Sequence, residues 1–334
     1  MPSLYVNLLL LLGSAGAIYF ASEYFVNGVE WVGHKLDLGQ KATGTLLAAF
    51  GTALPESVVT LVAVAFSADP AQKDIGVGAA MGGPLVLGTL AYAVVGITLL
   101  LCKRSLRTPT SAADFAGLSR DQAWFLGLFV VKLTLGLIAF AIKPWLGVVF
   151  LLAYAVYAWK ALRGEQGEAE GELEPLKIAP RATRRLTLLA FAQTLAALTV
   201  VFFASRLFVG QLDSFGHQVG LKPQLLALLL SPIATELPEI LNAVIWIRQG
   251  KVRLALANIS GSMMIQATVP TAFGLFFTPW LLDQSLIVAG VVTLAAVITL
   301  FAAFRSGRIS RPLLASMTLF YVAFAAIVAV LRLS

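Results

Sequence analysis

The strongest constraint in this sequence is a series of long apolar stretches, each close to the length that crosses a bilayer. A spanning helix needs roughly 20 apolar residues, and the chain holds about ten such stretches. Membrane strands are shorter and alternate apolar with polar residues, so these stretches predict an all-α polytopic membrane protein. The predicted spans are 4–27, 42–67, 75–102, 122–141, 144–162, 186–208, 222–247, 254–277, 283–304 and 312–332.

Positive charge is concentrated in alternate connections between these spans. The formal net charge is +7, and most lysine and arginine residues fall in or beside 103–107, 160–185, 248–253 and 305–311. The positive-inside rule places these segments in the cytoplasm and both termini outside. The excess of basic residues therefore indicates topology and contact with the lipid bilayer, and it gives no support for a nucleic acid partner.

Several common site types are excluded by simple counts. Residues 13–17 resemble a signal-peptide cleavage region, but residues 1–7 carry no Lys or Arg, so we expect the first stretch to be retained as a span. Cys102 is the single cysteine, which excludes an internal disulfide. His34 and His217 are too few for a histidine-based metal site. We expect no bound cofactor.

The second half of the chain repeats the first. Residues 19–56 align without a gap with residues 202–239, and the two copies share Gly-His and Leu-Pro-Glu in one register. Each half holds five predicted spans, an odd number, so the second copy enters the membrane from the opposite side. The pattern predicts two inverted five-helix repeats with a site near the midplane. The first repeat is predicted over 1–163, an acidic cytoplasmic linker over 164–183, and the second repeat over 184–334.

The repeated motif places carboxylates inside apolar runs. Pro55 and Pro238 precede Glu56 and Glu239, so each helix is expected to break or kink there and free carbonyl oxygens. A threonine lies four residues before each glutamate, on the same helix face. Hydroxyl, carboxylate and carbonyl oxygens suit Na⁺ and Ca²⁺. An ionised carboxylate at this depth costs ~2.5–3.5 kcal/mol or more without a partner. Since no Lys or Arg lies near the glutamate in either run, the partner is a cation, a proton or a hydrogen-bonded neighbouring helix.

A polar stripe follows in the eighth stretch. Asn258, Ser262 and Gln266 recur every four residues and share one helix face. Asn258 is expected to bond a neighbouring helix, whereas Ser262 and Gln266 suit either that role or cation binding. The matching first-half positions carry no polar side chain: Ala79, Gly83 and Leu87. Pro84 and the adjacent glycines indicate close packing or a kink there instead.

These two segments resemble the paired alpha-repeats of the sodium/calcium exchanger family, over about 42–90 and 224–272. The resemblance is closest to the short prokaryotic form, which implies an inner (plasma) membrane protein. It implies a cation site formed by seven residues: Glu56, Glu239, Glu236, Thr52, Thr235, Ser262 and Gln266. The chain departs from the family where oxygen ligands are usual, at Ala53, Gly83 and Leu87, and it carries Glu236 where serine is usual.

The resemblance implies Na⁺/Ca²⁺ exchange by alternating access, in which the first and sixth helices slide across a fixed core. A proton-coupled cation antiporter is the alternative, because three confined carboxylates titrate as a coupled set. A family member that does not transport is the third reading. No nucleophile is paired with a base, so an enzyme is not indicated. The expected partners are inorganic cations, namely Ca²⁺, Na⁺ or H⁺. The sequence leaves the coupling ion, the stoichiometry and the oligomeric state open.

Overall fold

The computed structural model describes residues 4–35, 48–103, 112–164, 174–181 and 185–331, and it contains no β-strand in those ranges. In the first half the helices are α1 Leu4–Lys35, α2 Ala48–Ala65, α3 Pro70–Val86, α4 Tyr92–Leu101, α5 Ala112–Leu135 and α6 Leu146–Gly164. In the second half they are α7 Leu186–Val219, α8 Pro223–Thr235, α9 Leu237–Arg248, α10 Val252–Phe277, α11 Gln284–Arg305, α12 Arg311–Ser316 and α13 Thr318–Val330.

These helices group into ten membrane spans. A π-helical turn over Leu87–Ala91 joins α3 to α4, α8 continues into α9 through Glu236, and α12 adjoins α13. By length and hydropathy alone, six of the spans in the described ranges qualify as transmembrane helices. The others include α5 and α10, which carry charged or polar residues on an apolar background.

Helix starts follow local sequence. Asp69 caps α3 by accepting a hydrogen bond from Ala71 N at 2.9 Å, and Pro70 occupies the first helical position, where its missing N–H is not needed. Asp283 caps α11 in the same way, accepting from Leu286 N at 2.9 Å. The predicted span 122–141 differs from the structure, in which α5 runs from Ala112 to Leu135. Polar residues form part of its first turns, and a prediction from apolar length alone leaves these turns out.

The packing of the helices is symmetric under exchange of the two halves. The helix α1 packs along α7, and α5 packs against α11. The contact of α3 with α8 has its counterpart in the contact of α10 with α2, and that of α4 with α12 has its counterpart in that of α10 with α6. This pairing is the one that two inverted five-helix repeats require, and it confirms the predicted fold class.

Glycines let α3 approach α8 closely. A Cβ added to Gly78 would collide with Gln224, and one added to Gly82 would collide with Leu228 and Pro232. Small residues at such crossings are typical of membrane helix pairs, where backbones approach without intervening side chains. The close packing predicted for the first-half glycine segment is confirmed. It brings α2, α3, α8 and α10 around one buried region.

Candidate functional site

The predicted site residues lie where α2 meets the junction of α8 and α9. Glu56 follows Pro55 within α2, which runs through the proline without interruption. In the second half, α8 ends at Thr235 and α9 begins at Leu237, so the helix breaks at Glu236. Pro238 falls in the first turn of α9, where a proline is tolerated. The predicted break is therefore present in the second half, whereas the first-half motif sits in a continuous helix.

A hydrogen bond joins the two halves at this point. Thr235 Oγ1 donates to Glu56 Oε2 at 2.6 Å, and Ser231 Oγ lies 3.3 Å from the same oxygen. Thr235 Oγ1 also lies 3.1 Å from Ser231 O and 3.3 Å from Glu236 Oε1. All four residues are buried. A threonine hydroxyl has one hydrogen to donate, and the shortest of these contacts assigns it to Glu56.

The chain of contacts continues to α10. Gln266 Nε2 donates to Glu236 Oε1 in a short hydrogen bond. The Gln266 side chain occupies the space beside Gly83, because a Cβ at Gly83 would collide with the Gln266 amide. The missing first-half side chain thus makes room for a second-half amide. Contacts then run from Glu56 through Thr235 and Glu236 to Gln266.

Several buried oxygens in this region make no hydrogen bond within the described residues: Glu56 Oε1, Glu236 Oε2, Ser262 Oγ and Gln266 Oε1. Buried polar atoms are nearly always paired, so such a group requires an explanation. Carboxylate, hydroxyl and amide oxygens are the ligands of hard cations. Within the described ranges, no three His, Cys, Asp or Glu side chains lie close enough to share one metal ion. A cation here would be held by one or two carboxylates with neutral oxygens.

The remaining predicted residues differ in position and burial. Glu239 is fully buried in the first turn of α9, and its charge acts on Glu236. Ser262 and Asn258 are buried on α10, so the polar stripe faces the protein interior. Thr52 belongs to α2, but its side chain lies outside the described residues. At Ala53 and Leu87, where the family usually has oxygen ligands, the apolar side chains are fully buried.

Two residues were missed by the sequence reasoning. Ser231 lies one turn before Thr235 on the same face of α8, a spacing that could have revealed it. Lys132 is fully buried on α5, and its Nζ lies 3.4 Å from the backbone oxygen of Gln266, next to the candidate site. The expected partners of the carboxylates, namely a cation, a proton or a hydrogen-bonded neighbouring helix, therefore did not include this lysine. The signal was a lysine within an apolar stretch, but its partner helix could not be read from the sequence.

Comparison with known proteins identifies the family. The sequence profile of the family described as "Sodium/calcium exchanger protein" matches residues 6–162 and 189–330. The chain belongs to this family. It is 27% identical over 314 residues to the putative antiporter CaxA of Alkalimonas amylolytica, covering 92% of this chain and 90% of the relative. It is 26% identical over 294 residues to the inner membrane protein YrbG of Escherichia coli, covering 84% of this chain and 80% of that relative.

Solved exchangers share the fold. The H⁺/Ca²⁺ exchanger CAX superposes with a TM-score of 0.77 at 18% identity, covering 98% of this chain and 86% of that one. The sodium-calcium exchanger NCX_Mj superposes with a TM-score of 0.62 at 17% identity, covering 96% and 98%. This sodium/calcium exchanger family member is thus an integral membrane protein and a cation/calcium antiporter by family. The family is described as an exchanger and CaxA is named as a putative antiporter, which supports transport and not catalysis.

Proposed function

We propose that this protein exchanges Ca²⁺ for Na⁺ by alternating access at the buried region between α2 and the α8–α9 break. The observation that carries the proposal is the Glu56–Thr235 hydrogen bond of 2.6 Å, which joins the repeated motifs of the two halves. Around it lie buried oxygens with no hydrogen-bond partner in the described residues. Because no three described carboxylates lie close enough to share one ion, we propose that the ligands are divided among the bound cations: Glu56, Glu239, Glu236, Thr52, Thr235, Ser262 and Gln266.

The peripheral position of α1 and α7 supports alternating access. In the most apolar 18-residue segments of α1 and α7, only 28% and 22% of the residues are buried, against 72% for the corresponding segment of Pro70–Leu101. The two helices pack along each other, and most residues of these segments are partly or fully exposed. A pair with little buried surface can shift relative to a core with much more. We propose that α1 and α7 move together while α2, α8, α9 and α10 hold the ion.

Proton coupling is the second candidate, and the surroundings of Glu236 favour it. This glutamate lies within electrostatic reach of both Glu56 and Glu239. A proton on one of three neighbouring carboxylates relieves their mutual repulsion. CAX, named as an H⁺/Ca²⁺ exchanger, and NCX_Mj, named as a sodium-calcium exchanger, share this fold, so fold alone does not separate the two couplings.

The coupling ion is tested with purified protein in proteoliposomes. Radioactive Ca²⁺ uptake is measured under an imposed Na⁺ gradient at constant pH, and then under an imposed pH gradient without Na⁺. We expect the Na⁺ gradient to drive uptake. Uptake driven by the pH gradient alone would select the second candidate, and no uptake under either gradient would show that this member does not exchange Ca²⁺.

We also propose that both termini face the exterior and that residues 164–183 lie in the cytoplasm. The asymmetry of lysine and arginine between alternate connections supports this orientation. In a Cys102→Ser background, Ser3→Cys should react with an impermeant thiol reagent added to whole cells. Glu170→Cys should react only after the membrane is opened. The reverse labelling pattern would invert the topology.

A further inference from the structure

Lys132 is a fully buried lysine in the last turn of α5. Its Nζ donates to Ala80 O of α3 at 2.7 Å and to Gln266 O of α10 at 3.4 Å. Lysine is almost never fully buried unless its charge is paired. The side chain reaches between α3 and α10, which are corresponding helices of the two halves.

The two carbonyls that accept from Lys132 are ones that prolines leave without a helical donor. In an α-helix the carbonyl of one residue accepts from the N–H four positions later, and proline has none. Pro84 follows Ala80 by four residues, and Pro270 follows Gln266 by four residues. The Lys132 ammonium thus occupies the position that a coordinated cation takes in transporters with interrupted helices, namely on carbonyls released from the backbone pattern.

Aromatic faces complete the surroundings of this ammonium. Lys132 Nζ lies 5.4 Å from the centroid of the Phe129 ring and 5.7 Å from the Trp280 ring. Both rings are fully buried, and such rings attract a desolvated cation. Trp280 Nε1 donates to Lys132 O at 3.2 Å. Trp280 has a φ of 48°, a strained value for a non-glycine residue, so its neighbours hold it there.

The charge of Lys132 acts on the candidate cation site. Its Nζ lies 3.4 Å from Gln266 O, and the Gln266 side chain donates to Glu236, so the ammonium adjoins the site although no direct salt bridge joins the described Lys132 and Glu56. The buried charged side chains in the described ranges are Glu56, Glu236, Glu239, Lys132 and Lys143. Lys143 is bonded elsewhere, donating to Ile138 O at 2.6 Å and Trp280 O at 2.9 Å. With the three carboxylates ionised and Lys132 protonated in the cation-loaded protein, the site has a fixed charge of −2.

We propose that Lys132 is a tethered cation that sets the charge carried in each transport step. A fixed charge of −2 is neutralised by one divalent cation or by two monovalent cations. Uncompensated charge in the membrane interior is costly, so the occluded protein carries two positive charges in either direction. Exchange is therefore electroneutral. This inference rests on the proposed antiport function, and it makes Lys132 a positioning residue that determines stoichiometry.

The test compares wild-type protein with Lys132→Gln, which removes the charge but keeps a hydrogen-bond donor. Ca²⁺ exchange is measured in proteoliposomes whose membrane potential is set by a K⁺ gradient and valinomycin. Wild-type exchange should not respond to the potential. Lys132→Gln should become potential-dependent, because a third monovalent cation is then needed. Lys143→Gln is the matched control: it also removes a buried ammonium bonded to two carbonyls, and its exchange should stay electroneutral.

A compensating variant separates charge from structure. Lys132→Gln combined with Glu236→Gln restores the fixed charge of −2, so exchange by the double variant should again ignore the potential. Potential-dependent exchange by wild-type protein would overturn the inference whatever the variants do. Electroneutral exchange by a folded, active Lys132→Gln would also overturn it and leave Lys132 a structural tie.

A measurement of Ca²⁺ binding tests the role of Lys132 separately from the antiport proposal. If wild-type protein carries no Ca²⁺ flux, the antiport proposal fails, but Ca²⁺ binding in detergent still tests the role of Lys132. Removing one positive charge near the site should tighten Ca²⁺ binding by roughly tenfold or more in Lys132→Gln. Lys143→Gln should bind like wild type. Equal affinities in all three proteins would refute the tethered-cation role.

Discussion

In the first half of the molecule, α2 runs unbroken from Ala48 to Ala65 through its proline, whereas in the second half the chain breaks at Glu236 between α8 and α9. The second half also supplies the polar side chains around the break: Ser231, Thr235, Glu236 and Gln266. The first half supplies Glu56 and the glycine at position 83, beside which Gln266 fits. The two copies of the repeat therefore differ in role: the second half supplies most of the polar groups, and the first half supplies the space that they occupy.

The largest expected effect concerns the one acidic residue that both halves retain. Glu56→Gln and Glu239→Gln should each reduce Ca²⁺ flux roughly 100-fold or more, because each removes a charge that stabilises a desolvated cation. Glutamine keeps the shape and hydrogen-bonding capacity, so folding should survive. The measurement is Ca²⁺ uptake by proteoliposomes, with a symmetric size-exclusion profile as the folding check.

Glu23→Gln is the matched control for this pair. Glu23 lies on α1 and is partly exposed, and its carboxylate accepts from Lys177 Nζ at 3.0 Å. It should retain wild-type flux. If Glu239→Gln transports normally while Glu56→Gln does not, only the first-half glutamate acts on the ion, and the equivalence of the two motifs is broken.

The next effect concerns the glutamate that only the second half carries. Glu236→Ser replaces a carboxylate by the family's usual hydroxyl, so Ca²⁺ affinity should fall at least about tenfold while Na⁺ still drives exchange. Under proton coupling, the variant should instead lose exchange driven by pH. Both outcomes are measured as Ca²⁺ uptake, first under a Na⁺ gradient and then under a pH gradient. A variant identical to wild type in both assays would show that Glu236 is structural.

A smaller effect tests how the first half accommodates the second. Gly83→Ser restores the family's usual residue but would place its Cβ against the Gln266 amide. Such overpacking should destabilise the protein by ~1–3 kcal/mol, seen as a lower thermal unfolding temperature in detergent. Gln266→Ala in the same chain should recover most of the loss.

Gly13→Ser is the control for this substitution, since nothing lies within 4 Å of a Cβ at Gly13 on α1. Its unfolding temperature should stay close to that of wild type. If Gly83→Ser is no less stable than Gly13→Ser, then Gln266 does not depend on the space at Gly83.

The smallest effect separates two hydroxyls of α8. Ser231 Oγ is 3.3 Å from Glu56 Oε2, whereas Thr235 Oγ1 is 2.6 Å from it. Ser231→Ala removes the weaker donor and should lower Ca²⁺ affinity by roughly two- to fivefold. Thr235→Val should lower it more. Equilibrium Ca²⁺ binding in detergent gives the ranking, and a larger loss for Ser231→Ala would reverse the assignment of donors.

Much of the fold was predictable because its determinants are local. Apolar length predicts each span, and the repeat of Leu-Pro-Glu predicts the inversion once the odd number of spans per half is recognised. The repeat also selected Glu56 and Glu239, and the second-half motif added Glu236; the structure buries all three. The start of α5 was predicted about ten residues too late because polar residues there continue the helix beyond the apolar segment.

The sequence by itself determined the class of the protein, the two halves and the acidic residues of the site. Only the tertiary structure decided which groups meet: Thr235 with Glu56 across the two halves, Gln266 beside Gly83, and Lys132 on two carbonyls released by prolines. The physical reason is that apolar length and helical spacing act along one helix. Charge compensation acts through space, between residues of different helices that no local pattern relates.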